Sequence, residues 1–180
     1  MAKIVQARKL KMQTFAQEGV PLQEVTPISD LPRLTAEAAE LAPGASVEWT
    51  AQAELRASPG HDDTVWLHLQ ANTVVPLTCQ RCMSPVPITV AVDQHYRFVA
   101  TEDIAMAEDD QSEEDLLVMV PQFDLLEVLE DELLMALPLV PLHETCPVPP
   151  RLSAGEDDMA DVGAEKPNPF AVLAQLKPKK

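Results

Sequence analysis

Between Thr101 and Pro150 the chain has no lysine or arginine, while fourteen Asp and Glu fall there and supply nearly all of the formal charge of −16. Surfaces that grip nucleic acid neutralise phosphates with Lys and Arg, so this stretch is a poor direct hold on RNA or DNA. It suits a basic protein instead. Cysteine is also scarce: three residues, an odd number, make no disulfide framework. With only five glycines, none arranged as a phosphate-cradling loop, nucleotide-binding motifs are missing. Aromatics amount to 4%, which leaves the core to Val, Leu, Ile and Ala. No run of about 18 apolar residues exists to span a bilayer, and MAKIVQARKLKM lacks the apolar stretch of a secretory signal. The expectation is a soluble, reduced, cytoplasmic protein with no membrane or DNA partner. No serine or cysteine nucleophile motif is found, and no enzyme is expected.

What is present is a change of period along the chain. Residues 4–17 (IVQARKLKMQTFAQ) read as a basic helix that Gly19 and Pro21 terminate, burying Ile4, Leu10 and Phe15. Lys3, Arg8, Lys9 and Lys11 on it are either a solvated face or a small patch for an anion. Pro21 to Pro43 reads as a Pro-punctuated connector with room for a short helix at 34–41. Apolar residues then alternate with polar ones: Val47, Trp49, Ala51, Ala53 and Leu55; next Val65, Leu67, Leu69 and Ala71; finally Val86, Ile88, Val90, Val92, Tyr96 and Phe98. Period two predicts three strands with one buried face, joined as an antiparallel meander.

The segment TEDIAMAEDDQSEED reads as an acidic loop, followed by an edge strand over Leu116–Val120. Asp124, with Glu127 three residues on, has the form of a capping box. It opens a helix to about Leu137, whose stripe of Leu126, Leu129, Leu133 and Leu137 faces the sheet. The fold class expected is α+β. It consists of an antiparallel, partly barrel-like sheet covered by one long acidic helix, with an N-terminal helix and a flexible acidic C-terminal tail. Residues 1–150 form one globular domain, and 151–180 a disordered linker plus a short terminal helical segment.

Three constellations carry chemistry. Cys79-Gln-Arg-Cys82 lies in a turn between strands, and His143-Glu-Thr-Cys146 repeats the spacing, so the four residues form a possible zinc set. Otherwise Cys79 and Cys82 are small buried hydrophobes at a tight turn. A redox pair is disfavoured because no helix N-terminus is expected there to lower a thiol pKa. Glu127, Glu130, Asp131 and Glu132 crowd the polar side of the helix, as a solvated face or as a docking surface for a basic partner. Asn168 and Pro169 start a terminal helical segment in which Phe170, Val172, Leu173 and Leu176 need a groove, on this domain or on a partner.

Three stretches together resemble one family. They are Cys79-Gln-Arg-Cys82, the run DLLEVLEDELLMALPLVPLH from Asp124 to His143, and the terminal KPNPFAVLAQLK from Lys166 to Lys177. This pattern is similar to the proteobacterial YceD family of large ribosomal RNA subunit accumulation proteins. The resemblance implies a ribosome biogenesis factor that supports synthesis, processing or stability of large-subunit (23S) ribosomal RNA. With the acidic charge, it points to a basic ribosomal or RNA-processing protein as partner, and leaves direct RNA contact open. A zinc-binding or thiol-redox accessory protein is the alternative. Relatives in other bacterial groups carry a second cysteine pair near Cys146, of which this chain keeps one. The family defines no catalytic residues.

Overall fold

The computed structural model describes residues 7–57 and 63–148. By its contacts the chain divides into two units, Met1–Pro147 and Val148–Lys180; the linker and terminal segment, including Phe170, Leu173 and Leu176, lie outside the described residues. Among the described residues no helix is long and apolar enough to cross a membrane.

The first unit is α+β, built on one five-stranded sheet whose spatial order follows the chain: β1 (Leu22–Pro27), β2 (Ser46–Arg56), β3 (Thr64–Thr78), β4 (Pro85–Val99) and β5 (Asp115–Val118). The first four pair antiparallel, while β5 lies parallel to β4, so the sheet is mixed rather than wholly antiparallel. It is also open. β1 and β5 stay at opposite edges, so the sheet does not close into a barrel.

β2, β3 and β4 stand where period two puts them. Val47, Trp49, Ala51 and Ala53 alternate with exposed or half-buried neighbours, as do Val65, Leu67, Leu69, Ala71, Val75 and Leu77. Prolines enter β3 and β4 at Pro76, Pro85 and Pro87, in the stretch where β2 no longer flanks β3 and β5 does not reach β4. There a missing N–H forfeits no ladder bond.

The connector before β2 is more ordered than its prolines suggest. It holds β1, a 3-10 turn at Ile28–Asp30, and a helix over Pro32–Glu37 rather than 34–41. Among the described residues the expected N-terminal helix is interrupted at residues 8–11. The helix α1 spans Met12–Glu18, because Leu10 leaves helical geometry to exchange two backbone bonds with Phe123, at 2.9 and 2.8 Å. Gly19 ends α1 in the left-handed region (φ 62°), where a residue without Cβ is unstrained. Pro32–Glu37 is α2.

The acidic segment after β4 is not a loop. Thr101 caps a helix, α3 (Glu102–Glu108), and a 3-10 turn follows at Asp109–Gln111. One half-buried cation gathers the segment: Arg97 on β4 bonds Glu114 (2.7 Å), Glu108 (2.8 Å) and Ser112 (2.8 Å). The last described helix, α4, runs Leu125–Met135, shorter than the long helix expected. Asp124 Oδ1 accepts from the N–H groups of Leu126 and Glu127. Its Leu125, Leu126, Leu129 and Leu133 are buried in the same core as Val47, Trp49, Leu67 and Leu69.

Candidate functional site

The β3–β4 connection places the first half of the site. Cys79 N–H donates to the Ser84 carbonyl (3.0 Å) and Met83 N–H to the Cys79 carbonyl (2.9 Å), which closes residues 79–84 into a tight turn. Met83 sits at φ 61°, a conformation that costs an L-residue about 1–2 kcal/mol. The turn is thus held in a strained form that keeps both thiols on one side.

The second half arrives after α4. Gln80 N–H donates to the Pro141 carbonyl (2.9 Å), and the Arg81 guanidinium to the His143 carbonyl (2.9 Å), tying the segment that follows α4 to the turn. The result brings all four sequence-expected ligands together: the ligand atoms of Cys79, Cys82, His143 and Cys146 lie within 4.8 Å of one another. Ligands around a tetrahedral zinc with bonds of about 2.0–2.3 Å stand about 3.3–3.8 Å apart, so modest contraction fits the set to that ion.

Burial and hydrogen bonding together set the protonation of the four groups. Cys79 is fully buried, whereas Cys82, His143 and Cys146 are half-buried. Burial opposes ionisation of Cys79, yet N–H groups of Cys82, His143 and Arg81, together with the His143 side chain, bring its thiol down to about 5. Cys82 is lowered as well, first by the Ser84 hydroxyl, whose Oγ lies 3.0 Å from Cys82 Sγ. His143 is raised, chiefly by Cys79 against the effect of burial. Burial and the neighbouring Cys82 and Cys79 push Cys146 up to about 11. His143 Nδ1 faces Cys82 Sγ at 3.5 Å, while its Nε2 lies 3.1 Å from the Pro85 carbonyl. That carbonyl can only accept, so Nε2 keeps its proton; Nδ1 donates to the thiolates while His143 is charged and presents a lone pair to them once that proton is given up. Ser84 and Pro85 had no signature in the sequence beyond their nearness to the C-x-x-C. No helix begins at Cys79, yet its thiol is lowered all the same, by the N–H groups around it rather than by a helix N-terminus.

The second set of expected residues is dispersed. Glu127 is exposed, but Glu130 and Glu132 are buried, so the α4 carboxylates are not one solvated face. Glu130 turns under the start of α2, where its Oε1 accepts from the N–H groups of Arg33 (2.7 Å) and Leu34 (3.1 Å) and its Oε2 from Arg33 Nε (3.0 Å). A side chain from another helix thereby caps α2, which has no side-chain cap of its own. Asp131 pairs with the same Arg33. Glu132 turns toward Tyr96, and burial, then this carboxylate, raises the phenol's pKa.

Of the expected basic patch, Arg8 is engaged with Asp124 (3.3 Å) and the Asp30 carbonyl (3.2 Å), Lys9 and Lys11 are exposed, and Lys3 lies outside the described residues. The acids left at the surface cluster elsewhere. Glu102, Asp103, Asp109, Asp110 and Glu113 are exposed along α3 and the turn after it.

Comparison with known proteins bears on the family. Residues 67–177 match the family described as "Large ribosomal RNA subunit accumulation protein YceD". The protein of that name from Haemophilus influenzae is 43% identical over 113 residues, which cover 58% of this chain and 61% of the relative. The chain thus spans about three fifths of that relative's length. No solved structure matches. With most of its length matched, from within β3 through both halves of the cysteine–histidine set to the terminal segment, the chain belongs to the YceD family.

Proposed function

We propose that this protein supports accumulation of large-subunit ribosomal RNA, as its relative's name says of that protein, acting as a non-catalytic ribosome biogenesis factor. The observation that carries this reading is the family match over residues 67–177. The action on RNA is indirect, through a basic ribosomal or RNA-processing protein. Charge supports this: fourteen acids without one base between Thr101 and Pro150 repel a phosphate backbone. The docking carboxylates are those of α3 and the turn after it rather than Glu130 and Glu132, which are consumed inside the fold. Toward the other end of β4 from α3, Leu139 and Val140 add exposed apolar side chains in the segment that follows α4.

In the same reading Cys79, Cys82, His143 and Cys146 hold one structural zinc. Bound there, the ion would pin the segment after α4 to the β3–β4 turn and so fix the apolar side chains beside it. Four protein ligands leave no open coordination position for chemistry.

The test is complementation of a deletion strain with a protein in which Glu102, Asp103, Asp109 and Asp110 are changed to Gln and Asn. Folded variant protein, loss of partner capture from extract in the presence of nuclease, and reduced large-subunit RNA support the reading. Capture that disappears on nuclease treatment of the wild type overturns the protein partner in favour of RNA.

A second reading, a thiol-redox accessory, rests on the closeness of the Cys79 and Cys82 thiols and on the N–H groups that lower the first of them against burial. Rapid alkylation of Cys79 at neutral pH in protein as purified supports it, whereas a thiol protected until a chelator is added supports zinc.

A further inference from the structure

A separate cluster lies on the opposite face of the sheet from the core. His68 on β3 stands directly across from His95 on β4, and Gln70 across from Asp93. Period two puts all four side chains on one face, while Leu67, Leu69, Val92 and Tyr96 fill the other. The two imidazoles stack, with centroids 4.0 Å apart and planes 11° from parallel. His68 Nε2 lies 2.6 Å from Asp93 Oδ1, and Gln70 Nε2 donates to Asp93 Oδ2 at 3.2 Å. One ligand atom from each of His68, Asp93 and His95 falls within 4.8 Å of the other two.

The geometry points to a second metal site here, for a divalent first-row transition ion such as Zn²⁺, held by His68, Asp93 and His95. Imidazole suits zinc, copper and nickel, and one carboxylate adds charge without making the set hard enough to prefer calcium or magnesium. The ligands rise from the two longest strands of the sheet, paired over their whole facing length, so the backbone that positions them is rigid. Gln70 serves as the outer partner, holding Oδ2 so that Oδ1 is presented to the ion. The ion takes the place of the proton between His68 Nε2 and Asp93 Oδ1, which asks that pair to open from 2.6 Å to about 3.3 Å and the two rings to turn out of their stack, because each lone pair lies in its ring plane. Two cations stand on this face among the described residues, and both are spoken for: Arg97, two residues from His95, bonds Glu114, Glu108 and Ser112, while the Arg56 guanidinium lies 4.0 Å over the Trp66 ring and its Nε bonds Glu54 at 2.6 Å.

Three protein ligands at the surface leave coordination positions open. This site is therefore exchangeable and free to accept a further ligand, unlike the four-ligand set at Cys79.

The experiment titrates the full chain, without a histidine tag, with Zn²⁺ beyond one equivalent, and follows the imidazole nitrogens by NMR beside calorimetry. The expected result is one added ion per chain, with shifts at both His68 and His95. His95→Gln should weaken this step at least tenfold, and Gln70→Ala about tenfold. Neither should move the thermal midpoint measured in chelator, since both side chains face solvent. Unshifted His68 and His95 resonances overturn the proposal, as does His95→Gln binding the added ion as tightly as the wild type. The readout at these two rings does not depend on whether the cysteine–histidine set takes up the first equivalent.

Discussion

Replacing Glu130 tests whether an acidic residue on α4 is part of the fold or part of a surface. Its carboxylate is 5% exposed and caps α2 with two backbone bonds, at 2.7 and 3.1 Å. Glu130→Ala removes both acceptors. Loss of a helix cap costs about 0.5–2 kcal/mol, and stranding the buried Leu34 N–H adds about 1–3. The total expected is about 2–4 kcal/mol. With a urea dependence of about 1–3 kcal/mol per molar, the unfolding midpoint falls by about 1–2 M. Glu130→Gln keeps the Oε1 acceptor and loses mainly the charge, so about 1 kcal/mol is expected. Glu130→Lys is the worst of the three, because it sets an ammonium against Arg33 and against the positive end of α2. Exposed Glu127→Lys is the control, with a shift within about 0.5 kcal/mol. The assay is urea unfolding followed by far-ultraviolet circular dichroism. If Glu130→Lys and Glu127→Lys have the same midpoint as the wild type, the capping argument is refuted and Glu130 becomes available as a docking charge. Short of that, a loss of function in any Glu130 variant reports on folding and says nothing about a partner.

The leucine seam gives a second measurement: Leu129→Ala and Leu133→Ala, both fully buried, should each cost about 2–5 kcal/mol in the same unfolding assay. Tyr96 is the chain's only tyrosine, so its phenolate absorbance can be read without ambiguity. Burial and Glu132 raise its folded pKa above the unfolded value of about 10, so the stabilisation is complete below about pH 10 and is lost as pH rises beyond it. Phenolate should therefore appear together with unfolding, and a reversible titration near pH 10 in folded protein would contradict the burial. Purified, untagged protein should carry close to one zinc per chain, which Cys82→Ser should release with loss of stability; metal-free protein as stable as the bulk preparation removes the structural zinc.

How much of the fold could be read in advance depended on which force set each element. β2, β3 and β4 are set by burial of alternate side chains, and their period was plain in Val47, Trp49, Ala51 and Ala53 and their counterparts. β1 is set by backbone bonding to β2. Its one buried residue is Thr26, whose hydroxyl accepts from Trp49 Nε1 at 2.8 Å, so no apolar alternation marked it. β5 was visible as an apolar run, but apolar content carries no direction, and its parallel pairing with β4 was out of reach. The acidic segment reads as a loop when its charges are counted without their counter-ion. Arg97, only a few residues upstream, gathers Glu108 and Glu114 and makes the segment part of the body.

The site shows the same division more sharply. Thiol and imidazole spacing is local, so Cys79, Cys82, His143 and Cys146 could be nominated from sequence alone, and the structure brings their ligand atoms together. The α4 carboxylates were misjudged because helical position sets only the direction in which a side chain leaves its axis. Whether that direction ends in water depends on the neighbour, here α2, whose backbone N–H groups lacked a cap and took Glu130. Period two places His68 and His95 on or near the polar faces of their strands, but it does not say that they meet each other and Asp93. Two residues on different strands become neighbours only once the register is known, and a slip of one residue would have sent His95 to the buried face. Residue types that carry chemistry are thus legible when their spacing is local. They are hidden when a sheet register or an uncapped helix elsewhere decides what they meet.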